Sequence, residues 1–143
     1  MYLTERGKTL PSKKQEDNNN NSFINKRELG SFGENIAVDY LTKNNFIILE
    51  RNYRYGRFGE IDIIARENEY ICFIEVKTRS SNLFGTPSEA VNIKKQNSIK
   101  TLAQIYLKQM DMKNKNLRFD IVEILIQYNG LAVKCINLIR NAF

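Results

Sequence analysis

Two short apolar runs limit this chain more than any other feature: Glu60 to Ala65 (EIDIIA) and Tyr70 to Lys77 (YICFIEVK), separated by the polar tetrad Arg66-Glu67-Asn68-Glu69. Strand side chains alternate between faces, and these runs are apolar on both parities, so each reads as a central strand covered on both sides. The short polar separator makes the two a hairpin, with Asn68 suited to a left-handed turn conformation. Charges inside such strands are expensive, which singles out Asp62, Glu75 and Lys77.

The flanking sequence supplies the cover. From Asn25 to Lys43, Leu29, Phe32, Ile36, Tyr40 and Leu41 recur at three- and four-residue steps, an amphipathic helix that Asn44-Asn45 ends. Phe46 to Tyr53 reads as a strand, followed by a loop from Arg54 to Gly59. Thr86 to Glu89 looks like a helical turn, and Asn92 caps a helix to about Met110 with Ile99, Leu102, Ala103 and Tyr106 on its apolar face. Arg118 to Ile126 and Leu131 to Ile136 are further strands across Tyr128-Asn129-Gly130, a strong hairpin signal. Residues 1 to 22, with their run of asparagines, have almost nothing to bury and read as a disordered tail ahead of one domain, 23–143. The expected fold is α/β: a sandwich with a mixed β-sheet flanked by helices.

A hairpin symmetric about Asn68 and Glu69 sets Asp62 across from Glu75, two like charges that destabilise a pair unless a cation lies between them. Lys77 follows Glu75 at the strand period and shares its face. That trio suits phosphodiester hydrolysis. Oxygen ligands from Asp62 and Glu75, with the Val76 carbonyl, would hold Mg²⁺ or Mn²⁺, and Lys77 would steady charge developing on phosphorus or orient the attacking water. The competing reading is a buried salt bridge between Glu75 and Lys77 with Asp62 at a strand end. Glu34, about 20° from Leu41 on the helical wheel, can lean over the sheet toward the two carboxylates, or it can be a solvated helix glutamate. Gln96, near the start of its helix, can orient a water, a carboxylate or a phosphate, or be an ordinary partly buried glutamine.

Composition narrows the chemistry further. The chain of 143 residues has no histidine, which removes Ser-His-Asp and Cys-His sites, His-ligated zinc and an imidazole base. Its net charge of +6 favours a polyanionic partner, nucleic acid first. The segment RNYRYGRF interleaves Arg51, Arg54 and Arg57 with Tyr53, Tyr55 and Phe58, suited to phosphate contacts and base stacking on branched or single-stranded substrates. Arg79, Lys94 and Lys95 extend that basic rim. The alternative is a solvated basic turn whose aromatics fold into the core. Cys72 and Cys135 lack CxxC spacing and read as small core residues in a reducing cytoplasm. No transmembrane span or secretory signal is expected.

Glu34, Gly59-Glu60-Ile61-Asp62, Glu75-Val76-Lys77 and Gln96 together resemble the PD-(D/E)xK nuclease superfamily. Within it the chain looks most like the YraN family of small bacterial endonuclease-like proteins, related to archaeal Holliday-junction resolvases. The resemblance covers about Asn25 to Ile126 and includes Gly30-Ser31-Phe32-Gly33-Glu34, Phe73-Ile74-Glu75-Val76-Lys77-Thr78-Arg79, Lys95-Gln96 and Arg118-Phe119-Asp120. Ile61 stands where the superfamily name has proline. The resemblance implies a restriction-endonuclease-like core, metal held by Asp62 and Glu75, a catalytic Lys77, and Glu34 and Gln96 completing the site. By analogy with resolvases it also implies a homodimer acting on DNA. The rival from another class is a non-catalytic nucleic-acid-binding module on the same fold. Docking to an acidic protein or a membrane surface lacks the basic amphipathic helix it needs.

Overall fold

The computed structural model describes residues 25–80, 89, 91–127 and 132–143. The expectations for residues 1–22 and for Tyr128-Asn129-Gly130 lie outside these, as does the helical turn over 86–89 except Glu89. The elements run α1 (Lys26–Lys43), β1 (Ile47–Arg54), β2 (Glu60–Glu67), β3 (Tyr70–Arg79), α2 (Ile93–Gln109), β4 (Asn116–Ile126) and β5 (Val133–Ile139). One five-stranded sheet orders them β1-β2-β3-β4-β5. β3 pairs with β4 in parallel, and the other neighbours are antiparallel. This is the mixed sheet and α/β class expected.

Both helices begin as their caps dictate. The Asn25 side chain accepts from the Arg27 and Glu28 N–H groups while Glu28 reaches back to the Asn25 N–H, a full capping box. Asn92 accepts from the Lys95 N–H at 2.9 Å. The helices cover opposite faces of the sheet. Ala37 and Leu41 of α1 pack on Ile63, Ala65, Cys72, Ile74, Val122 and Ile124. Ile99, Leu102, Ala103 and Tyr106 of α2 pack on Ile64, Ile71, Phe73 and Ile121. The alternating parities of β2 and β3 thus feed two cores, which is why both runs are apolar throughout.

The central hairpin is tighter than the polar tetrad suggests, because Arg66 and Glu67 continue the ladder against Ile71 and Tyr70. Asn68 takes φ +53°, the left-handed conformation expected of it. β5 starts at Val133 and runs three residues past its expected end, since Asn137 and Leu138 pair with Glu123 and Val122. Cys72 is buried as expected. Cys135 is exposed, because β5 is the edge strand of the sheet. Among the described residues, no helix is long and apolar enough to cross a membrane.

α1 lies close to the sheet at Gly33, where a Cβ would stand 1.8 Å from Thr78 Oγ1 and 3.1 Å from Thr78 Cβ. Only glycine permits that approach, and the next residue along the helix is Glu34.

Candidate functional site

The register of β2 and β3 follows the expected symmetry from Glu67↔Tyr70 to Ile63↔Ile74, and the recorded pairing stops one step short of Asp62 and Glu75. There β2 turns over: Ile61 belongs to the core beneath α2 and Ile63 to the core beneath α1, although strict alternation would set them on one face. The neighbouring strand helps this along. β1 shifts register between Ile48 and Glu50, and Asn52, level with Asp62, has φ +51°. The two carboxylates are therefore not a facing ladder pair. Instead Asp62 Oδ2 accepts a hydrogen bond from the Val76 N–H at 2.8 Å, bridging the point where the strands part. Val76, considered above for its carbonyl, meets the site through its N–H.

Three carboxylates converge on this point. Glu34, Glu60 and Asp62 each offer an oxygen within 4.8 Å of the others'. Glu34 comes from α1, while Glu60 and Asp62 come from the start of β2. Asn52 Nδ2 donates to Glu34 Oε2 at 2.8 Å and to Glu60 Oε1 at 3.3 Å, clipping the two together. Glu60 also pairs with Arg54. Glu34 thus leans over the sheet toward Asp62 as its wheel position allows, and Glu60 joins them. The sequence pattern assigns no role to Asn52, whereas the two-residue spacing of Glu60 and Asp62 on one strand is the signal that points to Glu60.

Glu75 is not one of those three but lies next to them, its charge acting on Asp62, and is almost fully buried, at 4% exposure. Its Oε1 accepts from Lys77 Nζ at 2.9 Å, the same-face contact the strand period requires. Its Oε2 is buried and, among the described residues, accepts no hydrogen bond; Lys95 Nζ lies 3.5 Å from it. Lys95 Nζ also donates to the Glu60 carbonyl at 3.1 Å, so a lysine from α2 ties β2 to β3 here. Burial, and next the Glu75 charge, push the Asp62 carboxyl up to about 7, against the Val76 hydrogen bond and Lys95, which pull it down.

Other expected contributors are placed differently. Gln96 Nε2 donates to the Val91 carbonyl at 2.9 Å, holding the chain that leads into α2. Arg51 donates to Asn35 Oδ1, and Arg54 pairs with Glu60, so both arginines engage the protein's own acceptors. Arg57, Tyr55 and Phe58 are exposed at the β1–β2 turn, whereas Tyr53 is buried and donates to Gln109 Oε1. Arg79 lies 3.8 Å from Glu123, and Lys94 is exposed. A cavity of about 430 Å³ lined by Lys100, Thr101, Leu117 and Phe119, among others, lies away from the acidic cluster and includes none of these residues.

The donor set fits a hard divalent cation. It consists of carboxylate oxygens, one carboxyl that burial first and the Glu75 charge next keep protonated to near neutrality, and one buried oxygen without a hydrogen bond among the described residues. Fold and site together define a small α/β protein with two helices across a mixed sheet and an acidic cluster where its central strands part. The chain belongs to the uncharacterised protein family UPF0102, whose model matches residues 33–124. It is 55% identical over 121 residues to a UPF0102 protein of Acetivibrio thermocellus, covering 83% of this chain and 93% of that one. A UPF0102 protein of Clostridium botulinum is 48% identical over 118 residues, covering 82% and 94%. One from Dictyoglomus turgidum is 47% identical over 107 residues, covering 75% and 90%.

Proposed function

We propose that this protein is a metal-dependent endonuclease of the PD-(D/E)xK type that hydrolyses phosphodiester bonds in DNA, branched DNA included. The observation that carries the reading is the meeting of Glu34, Glu60 and Asp62 beside a buried Glu75 whose free oxygen lacks a hydrogen bond, with Lys77 on that same carboxylate. Asp62 and Glu75 would hold the cation, with Glu34 and Glu60 as further oxygen donors. When bound, Mg²⁺ or Mn²⁺ supplies Lewis-acid polarisation of the scissile phosphate and lowers the pKa of a water.

The remaining work falls to the chain's own groups. The Val76 N–H fixes the Asp62 carboxylate, and Asn52 fixes Glu34 against Glu60, so the oxygens are oriented before a ligand arrives. Lys77, about one-third exposed, brings an ammonium to the edge of the site where charge develops on the phosphate. Arg57, Tyr55 and Phe58 at the neighbouring turn supply a phosphate contact and ring faces for unpaired bases.

The second reading, a nucleic-acid-binding module without catalysis, draws on the pairing of Glu75 with both Lys77 and Lys95, which balances its charge without a metal. A panel of radiolabelled duplex, single-stranded, flap and four-way-junction DNAs with Mg²⁺ or Mn²⁺ separates the two. The nuclease reading expects metal-dependent scission of at least one substrate, abolished by Asp62→Asn and by Lys77→Met. Binding without scission of any of them, in either metal, selects the binding module.

A further inference from the structure

We propose that Lys95 is a built-in competitor for the divalent cation: its ammonium holds the place between the Glu75 carboxylate and the Glu60 carbonyl, and cation binding displaces it. The inference rests on the metal-dependent reading above and concerns what that reading leaves unexplained, a lysine from the opposite helix inserted among the proposed ligands.

The geometry is specific. Lys95 Nζ is 3.1 Å from the Glu60 carbonyl oxygen and 3.5 Å from Glu75 Oε2. A backbone carbonyl and a carboxylate oxygen are what a hard cation takes, at separations of roughly 2.0–2.6 Å, so an ammonium and a metal ion exclude one another from that oxygen pair. Lys95 balances the Glu75 charge but gives Oε2 no hydrogen bond, so the lysine is a poor final partner for that oxygen. Lys95 also belongs to the first turn of α2, its N–H bound to the Asn92 side chain, where the helix dipole disfavours a positive charge. With its side chain one-third exposed, it has an open route to solvent. Lys77 needs no such movement, because it sits on the other carboxylate oxygen, Oε1. The two lysines therefore divide the work: one stays on Glu75 and the other yields to the cation.

Calorimetric titration of Mn²⁺ into the full-length protein and three variants tests this without reference to cleavage. Lys95→Met removes the competitor and is expected to bind Mn²⁺ about tenfold more tightly than the parent. Lys94→Met removes the same charge from the exposed neighbouring residue and is expected to change affinity by less than about twofold, which measures long-range charge alone. Lys95→Arg keeps a cation at the site and is expected to stay at or below parent affinity, so it tests the idea even if the methionine variant folds poorly. Tighter binding by Lys95→Arg, or equal affinities for Lys95→Met and Lys94→Met, overturns the inference while leaving the metal site standing. Binding by Lys95→Met where the parent binds none supports it. Mn²⁺ binding by none of the four proteins overturns both the inference and the metal-dependent reading.

Discussion

The two ends of the β2–β3 hairpin handle buried acids in opposite ways. At the turn, Arg118 donates to Glu67 and to both oxygens of Asp120, at 2.9 and 3.0 Å, and Arg140 donates to Glu67 at 2.7 and 3.1 Å. The Asn141 N–H adds a further bond to Asp120, so every carboxylate oxygen there has a donor. Hydrogen bonds from Arg140 first, then Arg118, hold the Glu67 carboxyl below its usual range. At the open end, Glu75 keeps an oxygen without a hydrogen bond and Asp62 sits near 7. The same sheet thus carries one acid cluster completed by its own arginines and one left short of positive charge. Completion serves stability; shortage is what an incoming cation can relieve.

The contrast can be broken most severely at the turn. Arg118→Met leaves the fully buried Asp120 and much of Glu67 without their cation and is expected to cost about 3–5 kcal/mol in urea unfolding. Next comes Gly33→Ala, which forces α1 away from Thr78 for a cost of about 1–3 kcal/mol and, by moving Glu34 off Asp62, weakens Mn²⁺ binding as well.

A smaller effect sharpens the contrast through pH. Asp62 holds its proton more tightly when folded, so its contribution to stability is present in full below the unfolded value near 3.8 and is lost as pH rises through about 7. Glu67 behaves in reverse: its contribution is present above the unfolded value near 4.5 and lost as pH falls through the lower folded one. Metal-free Asp62→Asn is therefore expected to melt at or above the parent temperature at pH 8, and its melting temperature should no longer fall between pH 5 and 8 on account of this group. The smallest effect is Arg140→Ala, whose guanidinium is half exposed; a loss of about 0.2–1 kcal/mol at pH 7, shrinking toward zero at acid pH, is expected from melts across pH.

Much of this was legible in the sequence because it is local. The apolar parity of EIDIIA and YICFIEVK specifies a hairpin covered on both faces, Asn68 marks its turn, and the strand period alone sets Lys77 on Glu75. The turning-over at Asp62 was not legible, because it depends on the register shift and the left-handed Asn52 in a neighbouring strand. Arg51 and Arg54 look like free cations in the sequence, yet their acceptors, Asn35 and Glu60, come from other elements. Lys95 reads as part of a basic rim until α2 is docked, when its ammonium proves to lie among the acids. Cys135 misleads for the same reason: its burial depends on which strand is the edge.

The parallel pairing of β3 with β4 has a consequence for the order in which the molecule assembles. Residues 80–115 intervene between those strands, so their closure carries a larger loop entropy than the tight turn at Asn68. Glu34, Glu60, Asp62, Glu75 and Lys77 all come from the antiparallel stretch that precedes that closure, whereas Lys95 arrives with the crossover itself. The acids therefore belong to the part of the chain with the shorter-range closures, and the lysine that meets them comes with α2, inside the longest of these connections.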